Sequence, residues 1–230
     1  MGVVDAVMQK IIVMNAKGGC GKSTIATNIA SYYASHGVAT ALFDHDPQGS
    51  SMQWLQRRPN RVLPIHGVAA YQHSRSTTRS WQLRVPPEVQ KVVIDTPAGL
   101  KGFELTEHLK GVDAVVIPVL PSSIDINATG NFLRELLLVA KVNMRQTPIY
   151  IVPNRVKPRT RTFDALERFL AGLKMPVVQQ LRDTVNYIHA AEQGLGVYEL
   201  AQGNLEADRR AWDNLMRSLD PEMNHAQAVG

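Results

Sequence analysis

The chain is poor in the features that would commit it to a secreted, membrane-spanning or cysteine-built architecture. Its 230 residues include one cysteine, which rules out a disulfide framework and any cysteine-rich metal or cluster site assembled by a single chain. No apolar run approaches the roughly 20 residues that a helical membrane span needs. Met1 to Gln9 lacks a basic start followed by a long apolar segment, so no secretory signal is read and a cytoplasmic protein is expected. Internal repeats and low-complexity segments are also missing. What is present is an ordinary globular composition, 44% hydrophobic and 20% charged. That length suits one α/β domain with a proper core, so residues 1–230 are read as a single domain, with 224–230 as a frayed tail. The formal net charge of +5 leans modestly towards a polyanionic partner.

The most informative stretch is Lys17-Gly18-Gly19-Cys20-Gly21-Lys22-Ser23-Thr24, between the apolar run Ile11 to Met14 and the helical spacing of Ile25 to Ser35. Strand, glycine loop and helix in that order make a glycine-lysine-serine string a phosphate cradle. Backbone N–H groups of such a loop converge on an anion, and the positive end of the following helix adds to the attraction. Lys22 would reach the β- and γ-phosphates, and the Ser23 hydroxyl would hold a magnesium ion. The glycines are needed because a Cβ would hold the backbone off the phosphate oxygens. Cys20 is read as a small residue that fits.

Two carboxylate-bearing strand ends follow. Val38 to Phe43 runs into Asp44-His45-Asp46-Pro47-Gln48-Gly49, where Asp44 and Asp46 lie at the carboxyl edge that a doubly wound sheet uses as its ligand crevice. Lys91-Val92-Val93-Ile94-Asp95 has the Walker B shape, in which Asp95 binds magnesium through water.

The loop departs from the ordinary P-loop, whose first glycine would fall at Ala16; a second lysine, Lys17, stands one position later. In this it resembles the deviant Walker A ATPases of the ParA/MinD family, whose loop reads K-G-G-x-G-K-[ST]-[ST]. The D-x-D-P-Q-G string at Asp44, the D-T-P-A-G string at Asp95 and Pro118 within the strand Asp113–Val119 agree with that family's pattern. The resemblance implies an ATP-dependent sandwich dimer in which Lys17 touches the partner's nucleotide. It also implies that Asp46 positions the attacking water, that Asp44 supports the magnesium shell and that Asn154, after the strand Thr147–Val152, reads adenine. Gly99 would be a hinge in a segment that senses the γ-phosphate. The nitrogenase-reductase branch is excluded, because one cysteine cannot supply its cluster ligands.

Elsewhere the pattern predicts a short helix near Met52 to Leu55, an irregular connection to Val85 carrying Arg75, Arg79 and Arg84, a short strand at Pro176–Val178, and helices over Ile126–Val142, Phe163–Leu173, Val185–Gln193 and Asn204–Leu219. The expected fold is α/β, a mostly parallel, doubly wound sheet of about seven strands with helices on both faces. Function follows from the resemblance: a slow, magnesium-dependent ATP hydrolase, nucleoid-associated, whose ATP dimer binds DNA non-specifically. Lys157, Arg159, Arg161, Arg182, Arg209, Arg210 and Arg217 are the candidate phosphate contacts. An adaptor protein would stimulate hydrolysis. With no room before Lys10 for an operator-reading helix-turn-helix, an orphan role in positioning cargo such as carboxysomes or chemoreceptor clusters is preferred over plasmid partition. A MinD-like membrane cycle is disfavoured because Asp220 to Asn224 shows no basic amphipathic face. A biosynthetic P-loop enzyme of the same fold is the remaining alternative.

Overall fold

The computed structural model describes residues 8–72, 84–173 and 175–221. Six strands form one parallel sheet: β1 (Gln9–Val13), β2 (Thr40–Asp44), β3 (His66–Ala69), β4 (Lys91–Asp95), β5 (Ala114–Val119) and β6 (Ile149–Pro153), in the order β3-β2-β4-β1-β5-β6. The helices are α1 (Lys22–Ser35), α2 (Ser50–Gln56), α3 (Gly102–His108), α4 (Ser123–Arg134), which continues as a π-helical turn Glu135–Val139, α5 (Arg161–Ala171), α6 (Asn186–Glu192) and α7 (Glu206–Leu219), with a 3-10 turn at Val197–Glu199.

The strands read as unbroken apolar runs because both faces of a parallel sheet are covered. Odd-numbered β1 residues Ile11 and Val13 pack with Leu42, Val93 and Val116 against α1, while Ile12, Val92, Ile94, Val115 and Ile117 pack with Leu105, Phe132 and Leu166 on the other face. Helix α1 is buried from Ile25 to Ala34. Its outer side is covered in turn by Trp212, Leu215 and Met216 of α7, each such side chain contributing roughly 1.5–3 kcal/mol on burial.

Two expectations needed revision. A seventh strand at Pro176–Val178 is only a bridge from Val177 to Ile151; Pro176 has no N–H to extend a ladder, although its carbonyl accepts from the Ile151 N–H at 3.0 Å. The stretch read as an irregular connection instead supplies β3, pressed so closely on α2 that a Cβ at Gly67 would collide with Leu55. Arg75, Arg79 and the tail 224–230 lie outside the described residues.

Candidate nucleotide-binding site

The register brings the predicted residues to one edge. Val13 pairs with Asp95 and Val116, and Asp44 with Asp95, so β1, β2 and β4 end level beneath the loop 17–24. In the loop, Gly19 and Gly21 take φ of 76° and 96°, a region costly for a side chain. A Cβ at Gly21 would also strike the Asn154 amide. Lys22 is 7% exposed and its Nζ donates to the Lys17 carbonyl at 3.3 Å, so its ammonium lies folded over the cradle. Lys17 is half-buried. Cys20 is buried, its thiol within 3.2 Å of the Lys17 carbonyl, and burial pushes the thiol pKa up.

Asn154 is buried beside the loop. Its Nδ2 donates to the Cys20 carbonyl at 2.8 Å and its Oδ1 accepts from the Arg155 N–H at 3.0 Å, so the amide predicted to read adenine also braces the phosphate loop. Next to it opens a cleft of about 630 Å³ lined by Thr24, Asn154, Arg155, Asp183, Tyr187 and Ile188, wide enough for a base and its ribose.

The carboxylates have distinct environments. Asp44 Oδ1 accepts from the Asp46 N–H at 3.0 Å and Oδ2 from the Met52 N–H at 3.1 Å; both oxygens thereby hold the loop that carries Asp46. Asp46 is half-buried, with Oδ1 accepting from Gln48 N–H at 3.0 Å. Asp95 is fully buried. Its Oδ2 accepts from the Ser51 hydroxyl at 2.7 Å, and its Oδ1 has no hydrogen-bond partner. Desolvation pushes its pKa up to about 6; the Ser23 and Ser51 hydroxyls hold it back, and Asp44 pushes it further. An orphaned carboxylate oxygen facing a serine hydroxyl is the hard-oxygen donor set that magnesium prefers. Among the described residues no three His, Cys, Asp or Glu side chains converge on a metal position. Ser51, whose hydroxyl donates to Asp95, went unpredicted; its place opening a helix after D-x-D-P-Q-G was the available signal.

The candidate DNA contacts divide. Arg182, expected to face a polyanion, donates through Nη2 to Asp208 at 2.8 Å and to the Asn204 carbonyl at 3.0 Å; the buried Asp208 carboxylate takes this fork-shaped cation as its partner, which gives Arg182 a structural engagement as well. Arg209 likewise donates to the Leu200 carbonyl and lies over the Tyr198 ring. Arg210 pairs with Glu206, Lys157 with Asp183 at 2.9 Å, and Arg217 with Asn214 at 3.1 Å, all at exposed positions. Arg159 and Arg161 are exposed and make no side-chain bond to the described residues. Arg155, which was not predicted, is exposed in the same turn, and both it and Arg159 have positive φ.

A phosphate loop, a buried strand-end aspartate beside its serine and a purine-sized cleft on one sheet edge define a P-loop nucleotide-binding protein. The chain belongs to the family described as the CobQ/CobB/MinD/ParA nucleotide binding domain, whose model matches residues 11–197. It is 29% identical over 203 residues to the maintenance of carboxysome distribution protein A of Halothiobacillus neapolitanus, covering 86% of this chain and 91% of that one. The protein of that name from Gloeobacter kilaueensis is also 29% identical, over 96% of this chain and 98% of its own. Among solved structures, a plasmid partition protein of Borrelia burgdorferi bound to AMPPNP superposes with a TM-score of 0.69 at 16% identity, covering 92% of this chain and 99% of that one. MinD of Aquifex aeolicus gives 0.67 at 17% identity, covering 90% and 96%. These structural likenesses establish the fold.

Proposed function

We propose that the protein is a ParA-type ATPase whose ATP-bound sandwich dimer binds DNA non-specifically and positions a protein assembly, a carboxysome-like cargo, until an adaptor triggers hydrolysis. The observation that carries this reading is the division of labour between two lysines of one loop. Lys22 lies buried over the phosphate cradle, while Lys17 is half-buried with no side-chain partner among the described residues. The cargo is argued from the carboxysome distribution proteins of similar sequence over most of their length.

In this scheme the loop N–H groups and Lys22 bind the triphosphate, and Lys22 exchanges the Lys17 carbonyl for phosphate oxygens. Bound magnesium, held by Ser23 and Asp95, would neutralise developing phosphate charge. Asp44 fixes the 45–49 loop so that the free oxygen of Asp46 can orient the attacking water. Asn154 keeps the loop closed behind the nucleotide and turns its remaining amide proton towards the cleft. The exposed turn Arg155–Arg161 offers the phosphate-neutralising cations.

The test is a DNA mobility shift with and without ATP and magnesium, beside sizing of the protein with AMPPNP and sedimentation with anionic vesicles. ATP-dependent dimerisation and salt-sensitive DNA binding support the reading. Nucleotide-independent DNA binding refutes it, ATP-dependent vesicle binding favours the membrane cycle, and ATP turnover only on adding a small acid favours a biosynthetic enzyme.

A further inference from the structure

Just past β1 the chain buries an amide that neither phosphate nor magnesium binding uses. Asn15 is 2% exposed, and burying an amide is unfavourable unless its donors and acceptor find partners. All of them do. Its Nδ2 donates to the Pro118 carbonyl at 2.7 Å and to Thr129 Oγ1 at 3.1 Å, and its Oδ1 accepts from the Lys17 N–H at 3.3 Å. A carbonyl can only accept and a backbone N–H can only donate, so these partners fix which end of the amide points where. The parallel ladder between β1 and β5 ends with the Met14 N–H on the Val116 carbonyl. Were β1 to continue, the N–H of residue 16 would take the Pro118 carbonyl. The Asn15 side chain takes it instead, so the backbone leaves the sheet for the phosphate loop without stranding a buried carbonyl. Thr129, buried in the middle of α4, pins the same amide to the neighbouring helix.

Lys17 is thus held from both sides in the empty protein. Asn15 holds its N–H, while the Lys22 ammonium and the Cys20 thiol donate to its carbonyl at 3.3 and 3.2 Å. With nucleotide in the cradle Lys22 turns to phosphate oxygens, and a thiol is a weak donor. The hold that remains at full strength is the Asn15 amide. It then sets the direction in which the Lys17 side chain leaves the bend.

We propose that Asn15 is a positioning residue of the nucleotide-loaded state: through its ties to β5 and α4 it keeps the Lys17 backbone, and with it the Lys17 side chain, aimed out of the loop once Lys22 has turned to the nucleotide. Touching no phosphate itself, it acts on assembly rather than on nucleotide affinity. The inference rests on the ParA-type reading for the dimer that Lys17 serves, but not for the tie between Asn15 and the loop, and two measurements separate them.

First, hydrogen exchange of the Lys17 amide is followed by NMR in the protein saturated with ADP and magnesium, for wild type, Asn15→Ala, Thr129→Val and Thr129→Ser. The tie predicts slow exchange in wild type and in Thr129→Ser, which keeps the accepting hydroxyl, and exchange roughly tenfold faster in Asn15→Ala and Thr129→Val. Equal rates throughout overturn it. Second, the AMPPNP concentration for half-dimerisation is measured by sedimentation velocity beside ADP affinity by equilibrium dialysis. Thr129→Val is expected to raise the AMPPNP requirement roughly five- to tenfold while ADP affinity stays within about twofold. Thr129→Ser is expected to restore the wild-type requirement, and Thr129→Val to add nothing to Asn15→Ala. A Thr129 that only packs α4 would lower Tm and leave the AMPPNP requirement unchanged; that result, or a loss of ADP affinity as large as the loss of dimerisation, overturns the positioning role. Absence of any AMPPNP dimer in wild type removes the ParA-type reading and the assembly role together, while the exchange rates still decide whether Asn15 holds the loop.

Discussion

Replacing Asp95 by asparagine separates what this residue costs the empty protein from what it does for the nucleotide. The buried carboxylate titrates near 6 rather than the ordinary 3.8, chiefly because burial disfavours the anion. A rise of about two pH units at 1.36 kcal/mol each means that the ionised group destabilises the nucleotide-free fold by about 3 kcal/mol at neutral pH. The sign follows from the raised value: proton-linked stability is complete below 3.8 and is lost as pH rises through 6. Asparagine can keep its Oδ1 on the Ser51 hydroxyl and turn its amide towards Ser23, with no charge to desolvate. Asp95→Asn is therefore expected to raise the Tm of the empty protein by about 6–12 °C at pH 7.5, with the gain shrinking towards pH 4.5. ATP with magnesium is expected to stabilise wild type strongly and the variant little, since the neutralising cation loses its anchor. Thermal melts from pH 4.5 to 8, with and without the nucleotide, measure both effects. A variant no more stable than wild type at pH 7.5, or a gain independent of pH, would refute the assignment of strain to this carboxylate.

Lys22→Ala removes the ammonium over the cradle and is expected to weaken ATP at least a hundredfold by equilibrium dialysis, with a near-native melting temperature. Arg58 and Glu199 form an ion pair at 2.6 Å with side chains 5% and 4% exposed, and Arg58 also donates to the Leu63 carbonyl at 2.8 Å; Glu199→Gln is expected to cost about 3–5 kcal/mol in chemical denaturation by leaving that cation uncompensated. Arg182→Ala is expected to lower stability by about 1–3 kcal/mol through the stranded Asp208 and to leave the salt dependence of DNA binding intact. Arg159→Ala with Arg161→Ala is expected to do the reverse, reducing the slope of log affinity against log salt by about 1 for each phosphate no longer neutralised; an unchanged slope removes the 155–161 turn from the DNA face.

How much of this was legible in the sequence depended on whether a residue's role is local. The phosphate loop was readable because glycine, lysine and serine at fixed spacing in strand-loop-helix context have one common use, and each is set by its own backbone. Asp44 and Asp95 were readable as strand ends, since parallel register alone brings them level. The ion pair of Arg182 was hidden because its partner Asp208 is 26 residues away, and a basic residue looks alike in sequence whether it meets solvent, DNA or a buried carboxylate. A still longer separation hid the pairing of Arg58, whose partner Glu199 lies 141 residues on. Ser51 was missed for a different reason, since a serine opening a helix is ordinarily its cap, and only the fold shows that its hydroxyl goes to Asp95.

These long-range contacts converge on α2. Its first turn donates Ser51 to Asp95 and the Met52 N–H to Asp44, so one helix end carries ligands of both site carboxylates. From its middle Trp54 donates to the Leu195 carbonyl at 3.1 Å, and just past its end Arg58 bonds to Glu199 at 2.9 Å and stacks on Trp54. The 194–199 turn cannot yield: a Cβ at Gly194 would collide with the Arg57 and Arg58 backbone, and one at Gly196 with Ser31. A helix held at one end by the nucleotide's carboxylates and at the other by a desolvated ion pair cannot shift at one end alone. Any movement of the Asp44–Asp46 loop on ATP binding must therefore reach the turn that follows α6, the helix whose Tyr187 and Ile188 wall the nucleotide cleft.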